Sequence, residues 1–438
     1  MRLHCLYAAL VLTLAFASPA FAYLDPGTGS MLVSALVGIV ATLFFLLKGI
    51  YYKGTGFFYS LVGRTKHRER EGIVFWSEGR SYWNSFRPVM EALSARGERC
   101  TYLSSDEGDP GLACGLPGVT TRFIGTGNKA YSTLNMLEAD VCALTTPGLD
   151  VLQIRRSPGV RHYTHIVHAV TDMAIYKLYS FDYFDSILCS GPHQACSIRA
   201  LEELRGTGAK DLPECGCPYL DVMAARLEEL RNAGTADAER KGKTRVLVAP
   251  TWGRNGLLAL YGLNLLEPLA RSGYELVIRP HPQSRIAEPE LLRELAEGLA
   301  AFPDITWDAA PDGLAVMKDA DVLVSDLSGI VFDFAFLLER PVLTLAFEPD
   351  LRGLEGNDLP WPAWELEVLD IVGRRISLED LPRLPDIVRE VREDPGFLPR
   401  LRALRAEAVW NFGQAGPAIA EKLVALRDAA RERQPVLH

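Results

Sequence analysis

Short runs of apolar residues that stop abruptly in polar ones recur along this chain of 438 residues. "GIVFW", "RVLVAP", "YELVIRPHP" and "ADVLVSDLSG" are examples. Runs this short and this uniformly apolar suit strands buried on both faces, and such strands belong to parallel sheets covered by helices. Helix patterns lie between them, including "FRPVMEALSARG" with Gly97 at its end and "PHQACSIRALEELRG" closed by Gly206. Regular alternation of this kind predicts an α/β fold of doubly wound, Rossmann-like units.

The alternation is interrupted once. Between Leu230 and Lys243 the chain reads "RNAGTADAERKGK", polar and poor in apolar side chains, which marks a linker. It separates an N-terminal α/β domain over 71–232 from a C-terminal one over 244–438 with a helical tail. The second domain opens with "RVLVAP", continues through a helix "LLALYGLNLLEPLARSG", and repeats the theme to "RPVLTLAF". Two consecutive open sheets predict a cleft between them.

Ahead of these domains, residues 1–22 read as a secretory signal, with Arg2, an apolar stretch and Ala20-Phe21-Ala22 as a cleavage signature. If uncleaved, they form a first helix. Residues 23–70 hold a second apolar run, Met31 to Leu47, followed by Lys48, Lys53, Arg64, Lys66, Arg68 and Arg70. The run approaches the roughly 20 residues that span a bilayer, and the trailing bases place the remainder of the chain on the cytoplasmic side. A transmembrane anchor in the inner membrane with cytoplasmic domains is therefore expected.

The formal charge of −9 argues against a nucleic-acid partner. Eight cysteines show no CxxC pair, and Cys215 and Cys217 are too close for a zinc half-site. Small buried thiols in a reducing compartment are expected.

Ligands of open α/β sheets bind at the carboxyl ends of strands, where three polar clusters of the second domain fall. "VLVAPTWGRNG" ends in Thr251 and Arg254, "LVIRPHP" in Arg279 and His281, and "VLVSDLSG" in Ser325, Asp326 and Ser328. A helix starting at Ser328-Gly329 offers unpaired N–H groups and a positive dipole end to phosphate. Taken alone, Ser328 reads first as an ordinary helix cap, and only the neighbouring strand ends favour the phosphate role. Asp326 repels phosphate and suits orienting a neighbour. Asp333, inside the following helix, is a candidate acceptor for ribose or glycerol hydroxyls, or a solvent-facing helix residue. His281, set between two prolines, suits proton donation to a leaving phosphate. In the first domain His162 and His168 share one strand face and His165 the other, which disfavours a three-histidine metal site. His168 is the candidate base. Asp319-Ala-Asp321 precedes its strand and reads as a solvated turn.

These residues resemble the CDP-glycerol glycerophosphotransferase family, which includes the teichoic-acid polymerases. The likeness is carried by "APTWGRNG", "IRPHP", "DGLAVMKDADVLVSDLSGIVFDFAFLLERPVL", "NFGQAGPAIAEKL" and "HIVHAVTDMAIYKLYSFDYFDSILCSGPHQ". It implies a two-domain GT-B architecture, His168 and His281 as catalytic histidines, and Thr251, Arg254, Arg279, Ser325, Asp326, Ser328, Gly329 and Asp333 at the donor. It implies CDP-glycerol, or another CDP-linked donor, as substrate with no tightly bound cofactor. Leu327 and Gly329 stand where the family commonly has an aromatic and a second serine, and "VHAVTD" replaces its Trp-His-Gly-Thr run.

The resulting expectation is a membrane-anchored transferase passing a glycerophosphoryl or related polyol-phosphoryl group to a hydroxyl of a lipid-linked or cell-surface glycan. A GT-B glycosyltransferase using a nucleotide sugar keeps the fold and changes the donor. An anchored scaffold without catalysis is the third reading, opposed by the presence of both histidines.

Overall fold

A computed structural model describes residues 39, 42, 43, 70–233, 242–310, 312–345 and 351–432. The signal segment 1–22 and nearly all of the anchor segment 23–70 lie outside the described residues, as do linker positions 234–241. Among the described residues, no helix is long and apolar enough to cross a membrane.

Two parallel sheets of six strands each carry the fold. The first contains β1 (Glu71–Ser77), β2 (Cys100–Ser104), β3 (Val119–Phe123), β4 (Ala139–Leu144), β5 (Val160–Ile166) and β6 (Ser186–Leu188), in the order β3-β2-β1-β4-β5-β6. The second contains β7 (Arg245–Val248), β8 (Glu275–Ile278), β9 (Ile305–Trp307), β10 (Val322–Ser325), β11 (Val342–Leu345) and β12 (Gly373–Ile376), ordered β12-β11-β10-β7-β8-β9. Strand order reverses between β1 and β4 and between β7 and β10, the places where open α/β sheets bind ligands.

Burial on both faces explains the uniformly apolar strands. Val74 and Trp76 pack into a core on one side of the first sheet, and Ile73 and Phe75 into a core on the other. Leu247 and its neighbours Val246 and Val248 divide the second sheet in the same way. The helix Pro192–Arg205 starts on a proline and ends on Gly206 at φ 61°, ψ 32°, the left-handed conformation that glycine adopts without a Cβ clash. Two boundaries differ from expectation. The helix Leu257–Arg271 is broken at Gly262, whose φ of 45° and ψ of −123° are not helical. The helix Pro218–Ala233 continues into the expected linker, because Leu227 on its inner face is still buried in the core.

The C-terminal helix Ala415–Glu432 crosses back to the first sheet and packs on the helix Trp83–Ala95. Arg431 pairs with Asp140 and Arg427 with Glu98 along it. A second joint forms at Trp364. Its ring stacks on His193 of the first unit (centroids 4.1 Å apart, 16° between planes) and leans on Phe332 of the second at 5.1 Å. The Asp172 N–H donates to Glu365 Oε1 at 2.6 Å, and the Trp364 N–H donates to Asp172 Oδ2 at 3.1 Å. Since Asp172 and His193 follow β5 and β6 while Phe332 follows β10, the carboxyl ends of both sheets meet at this joint.

Burial, and then the nearby Asp172 carboxylate, push the Glu365 carboxyl up to about 7. The folded protein thus keeps a proton that the unfolded chain releases above its ordinary value of 4.5. That contribution is complete below about pH 4.5 and disappears as pH rises through 7. Glu365→Gln keeps the oxygen that accepts from Asp172 but cannot ionise. Urea midpoints should therefore shift in favour of the variant between pH 4.5 and 8, by about 3 kcal/mol at most.

Candidate active site

Asp326 organises the switch point of the second sheet. Its carboxylate accepts from the Thr251 N–H at 2.8 and 3.0 Å, from the Thr251 hydroxyl at 2.8 Å and from the Leu257 N–H at 3.4 Å. The segment after β7 is thereby clamped to the end of β10. Ser325, buried, donates its hydroxyl to the Ala249 carbonyl at 2.8 Å and adds a second stitch between the same strands.

Ser328 occupies the cap position of the helix Gly329–Leu338, with an extended backbone (φ −148°, ψ 163°), yet its side chain makes no capping bond. The nearest hydroxyl is Ser325 Oγ at 3.4 Å. The Val331 N–H bonds back to the Ser328 carbonyl at 3.1 Å, which leaves the N–H groups of Gly329 and Ile330 with neither an intrahelical acceptor nor a side-chain one among the described residues. A Cβ placed on Gly329 would meet no described atom within 4 Å, so the space over the helix start is open. One turn later, Asp333 is partly buried beside Tyr219 rather than facing solvent. Burial pushes its carboxyl up to about 7, offset in part by the Tyr219 hydroxyl.

Two cations of this sheet behave differently. Arg279 is paired with Asp308 at the end of β9, with both side chains largely buried. Arg254 is exposed on the segment after β7. His281 is also exposed, and its Nδ1 accepts from the Gln283 N–H at 3.1 Å. That bond leaves Nε2 as the nitrogen facing outward. The Trp252 ring, 49% exposed, lies 6.5 Å from the His281 ring at 27°.

The opposite wall comes from the first sheet. β5 stops at Ile166, so His168 stands two residues beyond the strand end, half-buried. Burial holds its pKa below the ordinary 6.5, and Nδ1 is buried without a partner. The Tyr82 ring meets it edge-on at 5.5 Å and 86°. Glu78, at the end of β1, has a carboxyl raised by burial. The other two histidines point elsewhere. His165 lies between Phe181 and Phe184 at 5.2 and 5.3 Å and is driven down to about 3, while His162 meets the Ser186 hydroxyl at 2.8 Å. Among the described residues no cluster could hold a metal ion. Asp321 sits at the amino end of β10, accepting from the Arg245 N–H at 2.8 Å.

The structure thus gathers Thr251, Ser325, Asp326, Ser328 and Gly329 at one switch point, sets Trp252 beside His281, and places His168 on the other unit. Sequence reasoning passed over Trp252, Glu78 and Tyr82. Trp252 directly follows Thr251, and "SEGRSYW" is the polar end of β1, so the strand-end rule applied to the first sheet points to the latter pair.

The clamp has a measurable cost when removed. Asp326→Ala leaves the Thr251 and Leu257 N–H groups without an acceptor and should destabilise the protein by about 2–4 kcal/mol in urea titrations. Asp326→Asn keeps one acceptor oxygen and should lose about half as much.

Residues 175–352 match the family model described as CDP-Glycerol:Poly(glycerophosphate) glycerophosphotransferase. No curated protein matches the chain. Among solved structures, the wall teichoic acid polymerase TagF with CDPG is similar at 19% identity, covering 91% of this chain and 99% of that one, with a TM-score of 0.51. UDP-GlcNAc 2-epimerase from Methanocaldococcus jannaschii is similar at 12% identity, covering 81% and 99%, with a TM-score of 0.51. The Neisseria meningitidis enzyme bound to UDP-GlcNAc gives 13%, 81%, 99% and 0.51. At these identities the structures share the fold of two facing Rossmann-like units. The family match covers the segments that carry His281, Asp326 and Ser328, so over those residues the chain is similar to the CDP-glycerol glycerophosphotransferases.

Proposed function

We propose that the protein, held at the cytoplasmic face of the inner membrane by its N-terminal segment, transfers a glycerophosphoryl or related polyol-phosphoryl group from CDP-glycerol to a hydroxyl of a lipid-linked or cell-surface glycan. The observation that carries this reading is the helix start at Ser328-Gly329, open above and left uncapped by its own serine. The family match supports the donor.

In this scheme the donor diphosphate lies over the N–H groups of Gly329 and Ile330, with the Ser328 hydroxyl and Arg254 adding charge and hydrogen bonds. Asp326, Ser325 and Arg279 brace that surface through Thr251, Ala249 and Asp308. Asp333 accepts from a polyol or ribose hydroxyl. His168 takes the proton of the acceptor hydroxyl as the new oxygen–phosphorus bond forms. The bond from that phosphorus to the CMP oxygen breaks, and His281 Nε2 supplies the departing phosphate with a proton.

Incubation with labelled CDP-glycerol tests the assignments. His281→Ala should reduce incorporation by about 10²–10⁴-fold while donor-dependent thermal stabilisation persists. Equal incorporation by variant and wild type rejects the mechanism. Because burial depresses the His168 pKa, the base stays unprotonated below its ordinary 6.5. The acid limb of kcat/KM should therefore fall below pH 6.5 and change in His168→Gln. Deleting residues 1–70 should move the protein from the membrane to the soluble fraction.

A further inference from the structure

Next to His168 the first unit holds a cavity of about 690 Å³ at the carboxyl ends of β1, β2 and β3. Tyr82 belongs to both places, since it lines the cavity and meets the His168 ring edge-on. A group bound in this cavity therefore lies beside the proposed base. Its lining includes Glu78, Arg80, Glu107, Phe123 and Thr126.

The charges decide what can bind. Among the described residues Arg80 is the only cation of the lining, and its Nε and Nη2 donate to the two oxygens of Asp106, at 2.7 and 3.0 Å, so its charge is paired. Asp106 is itself fixed by the Gly108 N–H at 2.9 Å. A side chain on Gly108 would collide with that guanidinium, so the glycine lets Arg80 lie flat in its pair. With Arg80 and Asp106 cancelling, Glu78 and Glu107 remain, surrounded by the hydroxyls of Ser81, Ser105 and Thr126. Phe123 is 38% exposed and offers a ring face. Carboxylates repel phosphate but accept well from sugar hydroxyls, and an aromatic face packs against the apolar face of a pyranose.

We infer that this cavity is the acceptor subsite and that it takes an uncharged sugar terminus rather than a phosphate-bearing chain. The inference rests on the transferase reading for its role and on the lining for its ligand. The donor wall, with an open helix start and Arg254, attracts anions, and the acceptor wall excludes them. A donor and an acceptor of opposite preference are thus sorted to opposite sides of the cleft.

Two measurements on the full-length protein in detergent test it. Calorimetry with a neutral alkyl disaccharide, in the absence of donor, should show binding that Phe123→Ala weakens about tenfold. No binding, or equal binding by the variant, overturns the subsite whatever the transfer assay gives. In transfer from CDP-glycerol, the alkyl disaccharide should have a lower acceptor KM than an alkyl-linked oligo(glycerol phosphate). Glu107→Lys should narrow or invert that preference without altering the KM for donor. A wild-type preference for the phosphate-bearing acceptor overturns the inference. Loss of donor-dependent thermal stabilisation in the wild type speaks against the transferase reading alone, because disaccharide binding is read without donor.

Discussion

Trp364 stands where the carboxyl ends of the two sheets meet. A parallel sheet buried on both faces has little polar chemistry except at its strand ends. For two such sheets to make one site, their carboxyl ends must face a common space. The indole bridges them, stacking on His193 and leaning on Phe332, residues that follow β6 and β10. The paired bonds between Asp172 and the Trp364–Glu365 backbone and side chain hold the ring in register. Val170, two residues past His168, packs into the core of the second unit, so the loop bearing the proposed base is anchored across the joint.

Within the second unit, the polar residues at the strand ends divide into two kinds. Asp326, Ser325 and Arg279 bond to neighbouring strands and hold the surface in shape. Ser328, Gly329 and Arg254 present groups that no described partner occupies in this way. This division matters because a preorganised set of backbone donors binds a diphosphate without paying for rearrangement, whereas free side chains must first be ordered. Asp326 shows the logic most plainly: a carboxylate beside an anion site is tolerable when its lone pairs are filled by N–H and O–H donors of its own protein.

Much of this was legible from the residues. Apolar runs ending in polar clusters predict parallel strands, and the strand-end rule selects Thr251, His281, Ser325, Asp326 and Ser328 directly. The orienting role of Asp326 follows from its charge alone. What could not be read depends on distant partners. Nothing near Arg279 in the chain announces Asp308, which arrives from the neighbouring strand β9. The break at Gly262 was hidden by apolar residues on either side that satisfy a helical period. Trp364 belongs to an amphipathic helix, and only the folded chain reveals it as the joint. Glu78 and Tyr82 differ, since their position at the end of β1 is readable from the chain, but neither residue type announces a role without the His168 ring that Tyr82 meets.

The two walls of the cleft differ in the sign of what they leave free, and this orders the chemistry. On the side proposed for the donor the strand-end carboxylates are taken up internally: Asp326 by Thr251 and Leu257, and Asp308 by Arg279. What remains there is a helix dipole and an arginine. On the side proposed for the acceptor the cation is paired, Arg80 with Asp106, and carboxylates remain. Burial acts in the same direction on the titrating groups, keeping His168 neutral and able to take a proton. In the proposed scheme a phosphoryl group bound by one wall faces a wall that offers a base and whose cation, Arg80, is already paired with Asp106. In the proposed scheme that asymmetry favours transfer toward a neutral hydroxyl, because the acceptor wall offers the product phosphodiester no unpaired cation to retain it.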